Sequence, residues 1–543
     1  MATYGIDLGT TNSCVAYVDD SGRPVILKSA VGEDTTPSVV YFESPENVVV
    51  GRQAKDSALL APGQVVELIK RQMGHDIHYT FHGQDHTPES ISALILRELT
   101  RAAQDQAGEE IRDVVITVPA YFGLLEREAT RKAGLIAGLN VLDILAEPVA
   151  AALAYQALSD ATGVRHLFVY DLGGGTFDTT VIRIEGDDIK VVCTDGNSQL
   201  GGADWDSKII DFLLSGFASE YPDLDPSGDE QFMQDLATSA EQLKKALSAV
   251  AARKHTVRFG GSAAQLELTR EKFEELTSEL LERTMEITGR TIDTAREKGV
   301  DHFDDVLLVG GMTIMPAIAA TLKERFGLEA RQQDPHLAVA KGAAIFALMR
   351  KIQASVPAGG DQAAAASAVE AAAAQLGMTA EEVSAISRRT VETVVPRAFG
   401  VKVVDTKDPV FKTDPESARE YVEHLLMANT PLPADTEPET FRTVIDNQRH
   451  VQIEVWEQAG AVASEELEHN AFVGKGTLSD LPPRPAGAPF QVVFHMTDTG
   501  LLTVHGWEPR SGSEVRFEIQ IGGLDEERTQ QATSKVTSYD VSG

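Results

Sequence analysis

Two short stretches of this sequence, residues 5–12 and 169–178, share one design: a β-type run ends in Asp-Leu-Gly and passes through small residues before a second strand begins. Glycine lets the backbone come close to a ligand, and consecutive N–H groups in such a turn form an anion-binding nest. Asp7 and Asp171, which precede the two turns, are well placed to hold a cation that bridges phosphates. Two such hairpins facing each other would bind a nucleoside triphosphate from both sides. The alternative is a pair of ordinary glycine hairpins.

Charge and composition exclude several classes of function. The chain of 543 residues has a formal net charge of −34, which argues against binding to nucleic acids and against docking on anionic membranes. Cys14 and Cys193 are the only cysteines, so neither a disulfide framework nor a cysteine metal site is supported. The first residues lack the basic and apolar regions of a signal peptide. The Ala-rich run 363–374 is too short to cross a bilayer, and we therefore expect a cytoplasmic protein.

The texture of the sequence divides the chain into parts. Up to about residue 350, β-rich runs alternate with helical patterns, which predicts an α/β architecture. Residues 354–395 have a helix-forming composition but no apolar stripe wide enough for a core, so we predict a partly helical linker. From about residue 396, short alternating strands punctuated by Pro and Gly predict an all-β sandwich. The polar tail after Gly523 is expected to be frayed or disordered.

The common nucleotide and metal motifs are missing from the sequence. It contains no G-x-x-x-x-G-K-[ST] loop and no G-x-G-x-x-G that opens a helix in a Rossmann context. It also contains no H-E-x-x-H motif and no Cys/His cluster for zinc. A phosphate site must therefore come from the two hairpins. Two similar halves that each open on such a hairpin resemble the superfamily of actin, hexokinase and the heat-shock ATPases.

Further motifs resemble one family of that superfamily, the seventy-kilodalton heat-shock (DnaK-like) chaperones. The resemblance is nearly continuous over residues 1–350 and weaker over 396–525, and its motifs are residues 6–13, 118–122, 147–155, 171–178, 200–206, 308–313, 429–433, 446–448, 481–483 and 499–502. It implies an α/β ATPase domain of actin-like, duplicated RNase H-like fold, with two lobes, at 1–355. A linker at 356–395, an all-β substrate-binding-type sandwich at 396–525 and a polar tail at 526–543 would follow.

The resemblance also implies a site for ATP or ADP with Mg²⁺, and it admits K⁺ as a second cation. Asp7 and Asp171 would hold Mg²⁺, largely through water, because Mg²⁺ gives up its hydration shell reluctantly. Lys70 would orient the attacking water; the alternative is a solvated helix lysine, which is the more common case for a lysine considered in isolation. Glu147 would belong to the water and cation network; the alternative is a carboxylate at a helix N-terminus. The other implied residues of the phosphate site and its network are Gly9, Thr10, Thr11, Asn12, Gly173, Gly174, Gly175, Thr176, Asp178, Gly201 and Gly202.

Adenosine recognition departs from the family pattern. Four residues that match the family's adenosine-binding helix share one helical face, and the alternative is a solvated charged face; they are Glu241, Lys244, Lys245 and Ser248. In the loop Gly310, Gly311, Met312, Thr313 and Ile314, the isoleucine stands where the family usually places an arginine against the base. Isoleucine supplies apolar contact without a cation–π component. His336-Leu337 replaces the family's acidic pair, and we expect both departures to affect nucleotide affinity more than chemistry.

Communication between the domains would pass through Pro119 and Arg127, which match family positions that sense docking of the substrate domain. The family's short apolar linker is replaced, and only Val391, Val394 and Val395 could serve as an apolar strand. Less apolar surface is then available for docking, so we predict weak coupling between nucleotide and peptide binding. The segment between Lys70 and Pro119 also looks short, so the rim that exchange factors grip would differ.

The sandwich would supply a channel for an extended peptide. An insertion at about 405–428 interrupts the arch region, and the family's helical lid would only be starting where this sequence stops, so we expect fast, weak peptide capture. Main-chain hydrogen bonds and apolar pockets would hold such a peptide; the alternative is that the same residues form the sandwich core. The matching residues are Phe399, Val401, Val404, Phe441, Val444, Val451 and Ile453.

Two functions follow from these features. The first is an ATP-dependent chaperone or chaperone-like ATPase that binds unfolded or extended polypeptides, with a J-domain co-chaperone and a nucleotide-exchange factor as partners. The second is a nucleotide-dependent scaffold or regulatory protein that binds one dedicated partner. The intact catalytic set favours the first, whereas the atypical linker and the missing lid favour the second. A sugar or acetate kinase is disfavoured, because nothing in the sequence indicates a base for a small substrate.

Overall fold

A computed structural model describes residues 3–19, 21–157, 163–332, 334, 336–356, 362–414, 417–519 and 526–543. The first part of the chain folds around a mixed sheet. Its elements are β1 (Tyr4–Asp7), β2 (Asn12–Val18), β3 (Pro24–Leu27), β4 (Thr36–Pro37), β5 (Val40–Phe42), β6 (Asn47–Val50), α1 (Arg52–Ser57), β7 (Val65–Val66), β8 (Tyr79–Phe81), β9 (Gln84–His86), α2 (Pro88–Ala107), β10 (Asp113–Val118), α3 (Leu124–Ile136), β11 (Asn140–Ala146) and α4 (Glu147–Gln156).

The second part of the chain folds around another mixed sheet. Its elements are β12 (Val164–Leu172), β13 (Phe177–Glu185), β14 (Asp188–Asn197), α5 (Gly202–Glu220), α6 (Glu230–Leu247), β15 (Ala252–Phe259), β16 (Ser262–Thr269), α7 (Arg270–Leu276), α8 (Ser278–Glu297), β17 (Asp305–Val309), α9 (Pro316–Phe326), β18 (Ala330–Gln332), α10 (Ala338–Ser355), α11 (Gln362–Leu376), α12 (Ala380–Ser387) and β19 (Val391–Glu392).

The two sheets repeat one topology. The strand order is β11-β10-β1-β2-β3 in the first sheet and β18-β17-β12-β13-β14-β19 in the second. Each sheet contains an antiparallel hairpin, β1–β2 or β12–β13, and the strand beside its first arm runs parallel to it. The two glycine-rich turns predicted from the sequence therefore occupy equivalent positions in the two sheets.

Helix α10 packs between the two sheets by close backbone contact. A Cβ added at Gly5 in β1 would lie 2.1 Å from the backbone nitrogen of Ala344, and one added at Gly342 would lie 1.7 Å from the carbonyl oxygen of Ala150 in α4. Small residues at these crossings allow the elements to approach more closely than larger side chains would permit. Helix α10 thereby fixes the first hairpin relative to α4.

The last part of the described chain is largely β-structure and forms two facing antiparallel sheets. The strand orders are β21-β20-β24-β25 and β22-β26-β27-β28, with β23 also paired to β26. The elements are β20 (Phe399–Val404), β21 (Glu420–Leu426), β22 (Ala434–Asp435), β23 (Glu439–Arg442), β24 (Val451–Gln458), β25 (Asn470–Leu478), β26 (Pro489–Met496), β27 (Leu502–Trp507), β28 (Glu514–Glu518), α13 (Glu526–Ser538) and β29 (Asp540–Ser542).

The segment expected to be a linker packs more closely than its composition predicts. Helices α11 and α12 share a small core with α10, formed by Ile352, Ala372, Ala373 and Val383. The expectation that this segment has no core-forming stripe was wrong, because alanine side chains suffice where helices pack closely. Strand β19 then continues the second sheet by pairing in parallel with β14. Among the helices of the described ranges, none is both long enough and apolar enough to cross a bilayer.

The tail was also expected to be frayed or disordered, and the structure contradicts this. Helix α13 and strand β29 bury Val536, Tyr539 and Val541 in the core of the first part of the chain. Each of these residues is less than 9% exposed. The composition concealed the packing, because these few apolar side chains are spaced to meet one surface within an otherwise polar segment.

The contact at Gly342 gives a test of this packing. We expect Gly342→Ala to lower the free energy of unfolding by about 1–3 kcal/mol, because the new methyl group would overlap the backbone of α4. The matched control is Gly289→Ala in α8, where a Cβ would meet only the Phe326 ring at 3.8 Å. This control should be neutral or stabilising by up to about 1 kcal/mol. Urea unfolding measures both, and equal effects would contradict the assigned packing.

Candidate functional site

The two glycine-rich turns face each other. A Cβ added at Gly174 would lie 2.3 Å from Cγ2 of Thr11, and one added at Gly175 would lie 2.3 Å from Cγ2 of Thr10. The second turn can approach the first only because these positions have no side chain. The structure thus brings the predicted phosphate-binding residues together, with backbone N–H groups of both turns near one cleft.

Lys70 is buried beside this cleft. It lies on the 3-10 turn Ile69–Gln72, which follows Leu68 in a left-handed conformation with φ of 57°. Its side chain is 4% exposed, and its Nζ lies 2.5 Å from Oε1 of Glu147 at the start of α4. The solvated lysine considered from the sequence is therefore ruled out. Glu147 opens α4, as one of the two sequence interpretations predicts. It also pairs with Lys70, and its part in a water and cation network stays a prediction.

Four carboxylates lie around Lys70: those of Glu147, Asp171 and Asp178 are buried, and that of Asp7 is half-buried. Burial and the neighbouring Glu147 carboxylate raise the pKa values of Asp7 and Asp178 to about 7. Burial and Glu147 also raise the pKa of Asp171 well above its ordinary value. Buried carboxylates ionise with difficulty when their negative charges are not compensated. The cluster carries more acidic groups than the one lysine can neutralise, so a bound cation would relieve it.

Hydrogen bonds hold two of these carboxylates and leave a third available. Asp7 accepts from Oγ1 of Thr117 at 3.0 Å, and Asp178 accepts from the backbone N–H groups of Ala120 and Tyr121 at 3.1 Å each. Oδ2 of Asp171 is buried and has no hydrogen-bond partner among the described residues. This orphaned oxygen and the all-oxygen donor set fit a hard cation such as Mg²⁺.

The described ranges hold no group of three or more His, Cys, Asp or Glu side chains that could hold a metal ion. A cation at this place would therefore be coordinated in large part by water and by the phosphates of a ligand. This arrangement suits Mg²⁺, which usually keeps several of its waters.

A second loop closes onto the phosphate turn. The N–H of Gly202 donates to the carbonyl of Gly173 at 3.0 Å. Arg71 donates from Nε to the carbonyl of Gly175 at 2.9 Å, and it also pairs with Asp204 at 2.5 Å. Asp204 in turn accepts from the N–H of Gly201 at 2.7 Å. Sequence reasoning missed the roles of Arg71 and Asp204; the signals available were the position of Arg71 next to Lys70 and that of Asp204 in the first turn of α5.

The face of α6 predicted to bind adenosine is only partly solvated. Lys244 donates to the carbonyl of Gly202 at 2.8 Å and pairs with Asp206 at 2.6 Å. Although burial acts to raise the pKa of Glu241, the ammonium groups of Lys55 and Lys245 lower it to about 2. The ion pair between Glu241 in α6 and Lys55 in α1 joins the second part of the chain to the first. Ser248 donates to the carbonyl of Lys244 at 3.5 Å, at the end of α6.

The loop after β17 also approaches the phosphate turn. Gly310 has a φ of 85°, and a Cβ there would lie 2.3 Å from the carbonyl oxygen of Leu172. Met312 is buried, whereas Ile314 is 40% exposed. A Cβ added at Gly311 would lie 3.0 Å from the ring of His336. Ile314 therefore lies at an accessible rim, where a base could contact it.

The region of Pro119 and Arg127 lies between the carboxylate cluster and the sandwich. Arg127 is half-buried and donates from Nε to the carbonyl of Phe122 at 2.9 Å. The carbonyl of Pro119 accepts from the N–H of Phe122 at 3.2 Å. The hydroxyl of Tyr121 donates to the carbonyl of Gly460 in the sandwich at 2.9 Å. The segment whose N–H groups hold Asp178 is thus the one that the sandwich contacts.

An acidic side chain of the sandwich caps a helix of the first part. Oε1 of Glu457 accepts from the N–H of Leu124 at 3.0 Å, at the N-terminus of α3. Carboxylates are favourable at this position, because the first N–H groups of a helix have no partner within the helix. Beside it, Arg397 of the sandwich pairs with Glu126 at 3.0 Å. Neither contact was foreseen from the sequence, because each joins residues that are hundreds of positions apart.

The apolar strand predicted in the linker region is used. Val391 pairs with Ile189, and Val394 and Val395 are buried. A cavity of about 90 Å³ lies between this segment, the region of Arg127 and the sandwich. The linker residues therefore dock between the second sheet and the sandwich in this structure.

The residues predicted for a peptide channel lie mostly in the sandwich core. Phe441 packs partly buried against that core, with its ring centroid 5.9 Å from that of Phe490. Val404 and Val444 are half-buried. This placement fits the alternative interpretation of these positions as alternating core residues, and their role in peptide binding stays a prediction. The core members are Phe399, Val401, Val451 and Ile453.

The buried cap at the interface predicts a pH dependence. Burial raises the pKa of Glu457 from 4.5 to about 7, against the opposing effect of Arg397. Between these two values the folded protein keeps a proton that the unfolded chain releases, so the free energy of unfolding falls as the pH rises through this window. The contribution is at most about 3 kcal/mol. The variant Glu457→Gln keeps an oxygen acceptor for the N–H of Leu124 but cannot titrate. We therefore expect its Tm to fall less between pH 5 and pH 8 than the Tm of the parent protein.

The measurement is the Tm of each variant at unit steps of pH from 5 to 8. Glu454→Gln on the same strand, where the carboxylate pairs with Lys402 at 3.1 Å, is the matched control and should follow the parent protein. Parallel curves for Glu457→Gln and the parent would contradict the assigned titration.

One comparison with known proteins bears on this site. The family model described as Hsp70 protein matches residues 3–80, 75–357 and 413–541. The matched ranges include both glycine-rich turns, Lys70, the carboxylate cluster, the face of α6 predicted to bind adenosine and most of the sandwich. The chain therefore belongs to the Hsp70 family.

Proposed function

We propose that this protein is an ATP-dependent molecular chaperone, which hydrolyses ATP and binds unfolded or extended polypeptide segments. Hsp70 proteins are in general ATPases that bind unfolded polypeptides. The single observation that carries the proposal is the buried pair of Lys70 and Glu147 among three further carboxylates, next to two facing glycine-rich turns. This set of groups suits phosphoryl transfer to water, which requires positioning and charge neutralisation more than covalent catalysis.

The repeated strand order of the two sheets supports a division of labour between the parts of the chain. We assign residues 1–355 to a nucleotide-binding domain of the actin-like, duplicated RNase H-like fold, because its two halves share one topology. Residues 396–525 would form the substrate-binding-type domain. ATP and ADP would bind in the cleft, with K⁺ as a further cation beside Mg²⁺. A J-domain co-chaperone and a nucleotide-exchange factor are the partners that this function requires.

Each group of the cluster has a distinct part in the proposed reaction. Bound Mg²⁺ would neutralise charge on the phosphates, and Asp7 and Asp171 would hold it. The ammonium group of Lys70, fixed by Glu147, would orient the attacking water. Asp178 is held by two backbone N–H groups and would keep the water network in place. Thr10 and Thr176, both buried, would contribute their hydroxyl groups at the phosphate turns.

Substitution of the lysine tests the chemistry. We expect Lys70→Ala to lower single-turnover ATP hydrolysis by about 10²-fold or more, because misplacement of a reacting group by about an ångström costs that much. ATP binding should be largely retained, since the turns hold the phosphates. The matched control is Lys272→Ala, an exposed lysine of α7 that pairs with Glu275, and it should hydrolyse ATP like the parent. Undiminished turnover in Lys70→Ala would remove the role given to this residue.

A second candidate function is a nucleotide-dependent scaffold with one dedicated protein partner. The observation that favours it is the burial of the predicted channel residues Phe399, Val401, Val451 and Ile453 in the sandwich core. A sandwich whose apolar residues are occupied in this way has less surface to offer to varied peptides.

Steady-state ATP turnover with a panel of apolar peptides distinguishes the two functions. We expect several unrelated peptides to stimulate turnover, because a chaperone accepts many extended segments. Turnover by Lys70→Ala in the presence of the same peptides serves as the control for contaminating ATPases. An unchanged rate with every peptide would favour the scaffold and would leave the assignment of the ATP site untouched.

A further inference from the structure

The segment after the sandwich returns to the first part of the chain and adds a strand to a sheet there. Strand β29 pairs in parallel with β6, which gives a sheet of order β29-β6-β5-β7. The register places Asp540 opposite Asn47 and Val541 opposite Val48, and the N–H of Asp540 donates to the carbonyl of Glu46 at 2.9 Å. An edge strand offers unpaired N–H and C=O groups, and here β29 satisfies those of β6.

Side chains fix this strand in a specific place. The hydroxyl of Tyr539 donates to Oε1 of Gln84 at 2.7 Å and lies 3.1 Å from Nε2 of His86. The tyrosine ring meets the ring of Phe42 edge-on, with 6.3 Å between the centroids. His86 is 1% exposed, and burial lowers its pKa to about 4, so it is neutral at physiological pH. A phenol hydroxyl placed between an amide and a neutral imidazole makes the contact selective for tyrosine.

The helix before the strand is anchored as well. Val536 is fully buried between α13 and the first part of the chain. Its carbonyl accepts from the guanidinium of Arg97 in α2, and the ammonium of Lys535 donates to the carbonyl of Asp85. Backbone pairing, apolar burial and hydrogen bonds between charged side chains and backbone carbonyls thus coincide over residues 535–542. That combination is typical of a binding site for an extended segment.

We propose that the edge of β6, with the pocket formed by Phe42, Gln84 and His86, is a strand-acceptor site, and that residues 526–542 of the same chain are its resident ligand. The bound segment acts as a strap on the sandwich. Residues 520–525 connect the two, and even fully extended the step from Ile519 to Glu526 spans at most about 25 Å. The short connection keeps the segment at high effective concentration near its site.

The strap restrains the sandwich from one end while the linker restrains it from the other. At the linker end, β19 pairs with β14; at the far end, β29 pairs with β6. The sandwich cannot move away from the nucleotide-binding domain unless one of these two strands is released. None of the groups at the strap site belongs to the nucleotide site, so the docked arrangement would persist with either ADP or ATP bound.

The test uses the full chain with spin labels on two exposed residues, through Leu60→Cys in the first part and Ile445→Cys in the sandwich. The native Cys14 and Cys193 are buried and would not react. We expect a narrow distribution of label distances with ADP and with a non-hydrolysable ATP analogue. Val536→Asp should broaden the distribution and lengthen its mean, and Tyr539→Ala should do so to a smaller extent. Thr537→Asp, which puts the same side chain at the exposed neighbouring position, is the matched control.

Hydrogen exchange of a peptide covering residues 44–51 reports on the acceptor edge in the same samples. We expect exchange at this edge to be at least about tenfold faster in Val536→Asp than in the control. ADP binding at parental affinity shows that the variants are folded. Unchanged label distances in both strap variants would overturn the restraint, and unchanged exchange would overturn the acceptor site. If the protein is a dimer and the edge of β6 is protected from exchange only in that dimer, the strand comes from a second copy. That result would overturn the assignment of the strand to the same chain.

Discussion

Burial of like charges in one cleft is the constraint that the rest of this molecule must accommodate. A single buried lysine is surrounded by Asp7 of β1, Glu147 at the start of α4, Asp171 of β12 and Asp178 of β13. Removing ionised groups from water is costly unless they are paired. The carboxylates can be held together only by strong packing elsewhere, which the close backbone contacts at Gly5 and Gly342 provide. Close packing thus holds the negative charges of these carboxylates in the cleft, where a bound cation would balance them.

The same cleft is connected to the sandwich by a very short piece of chain. In the segment from Ala120 to Leu124, the N–H of Ala120 donates to Asp178 and the N–H of Leu124 donates to Glu457 of the sandwich. The guanidinium of Arg397 lies over the aromatic ring of Tyr121, with 4.8 Å between its Cζ and the ring centroid. A displacement of the sandwich would therefore be felt at Asp178 through a few peptide units, with no need for a long pathway. The geometry offers a physical route for coupling, whatever its strength.

The sequence predicted those features that depend on local pattern. The two Asp-Leu-Gly turns could be recognised in the sequence because their glycine content and spacing are local features. The structure places the two turns face to face. The family assignment from the motifs was confirmed. The contacts of Arg71, Lys55 and Glu457 could not be predicted, because each depends on how distant segments meet. The prediction for the tail failed for another reason. The average polarity of the segment concealed Val536, Tyr539 and Val541, which are few but are spaced so that all three are buried.

The pairing of β29 with β6 has a consequence during synthesis of the chain. The acceptor edge at Asn47–Val50 emerges early, whereas its partner is made roughly 490 residues later, which takes about half a minute to two minutes at ribosomal speed. Through that interval the edge is open to any extended chain nearby, its own nascent segments included. This chain would thus carry, until its partner strand is made, an unprotected strand of the kind that leads other proteins to aggregate. Residues 540–542 can cover the edge only after they have been made.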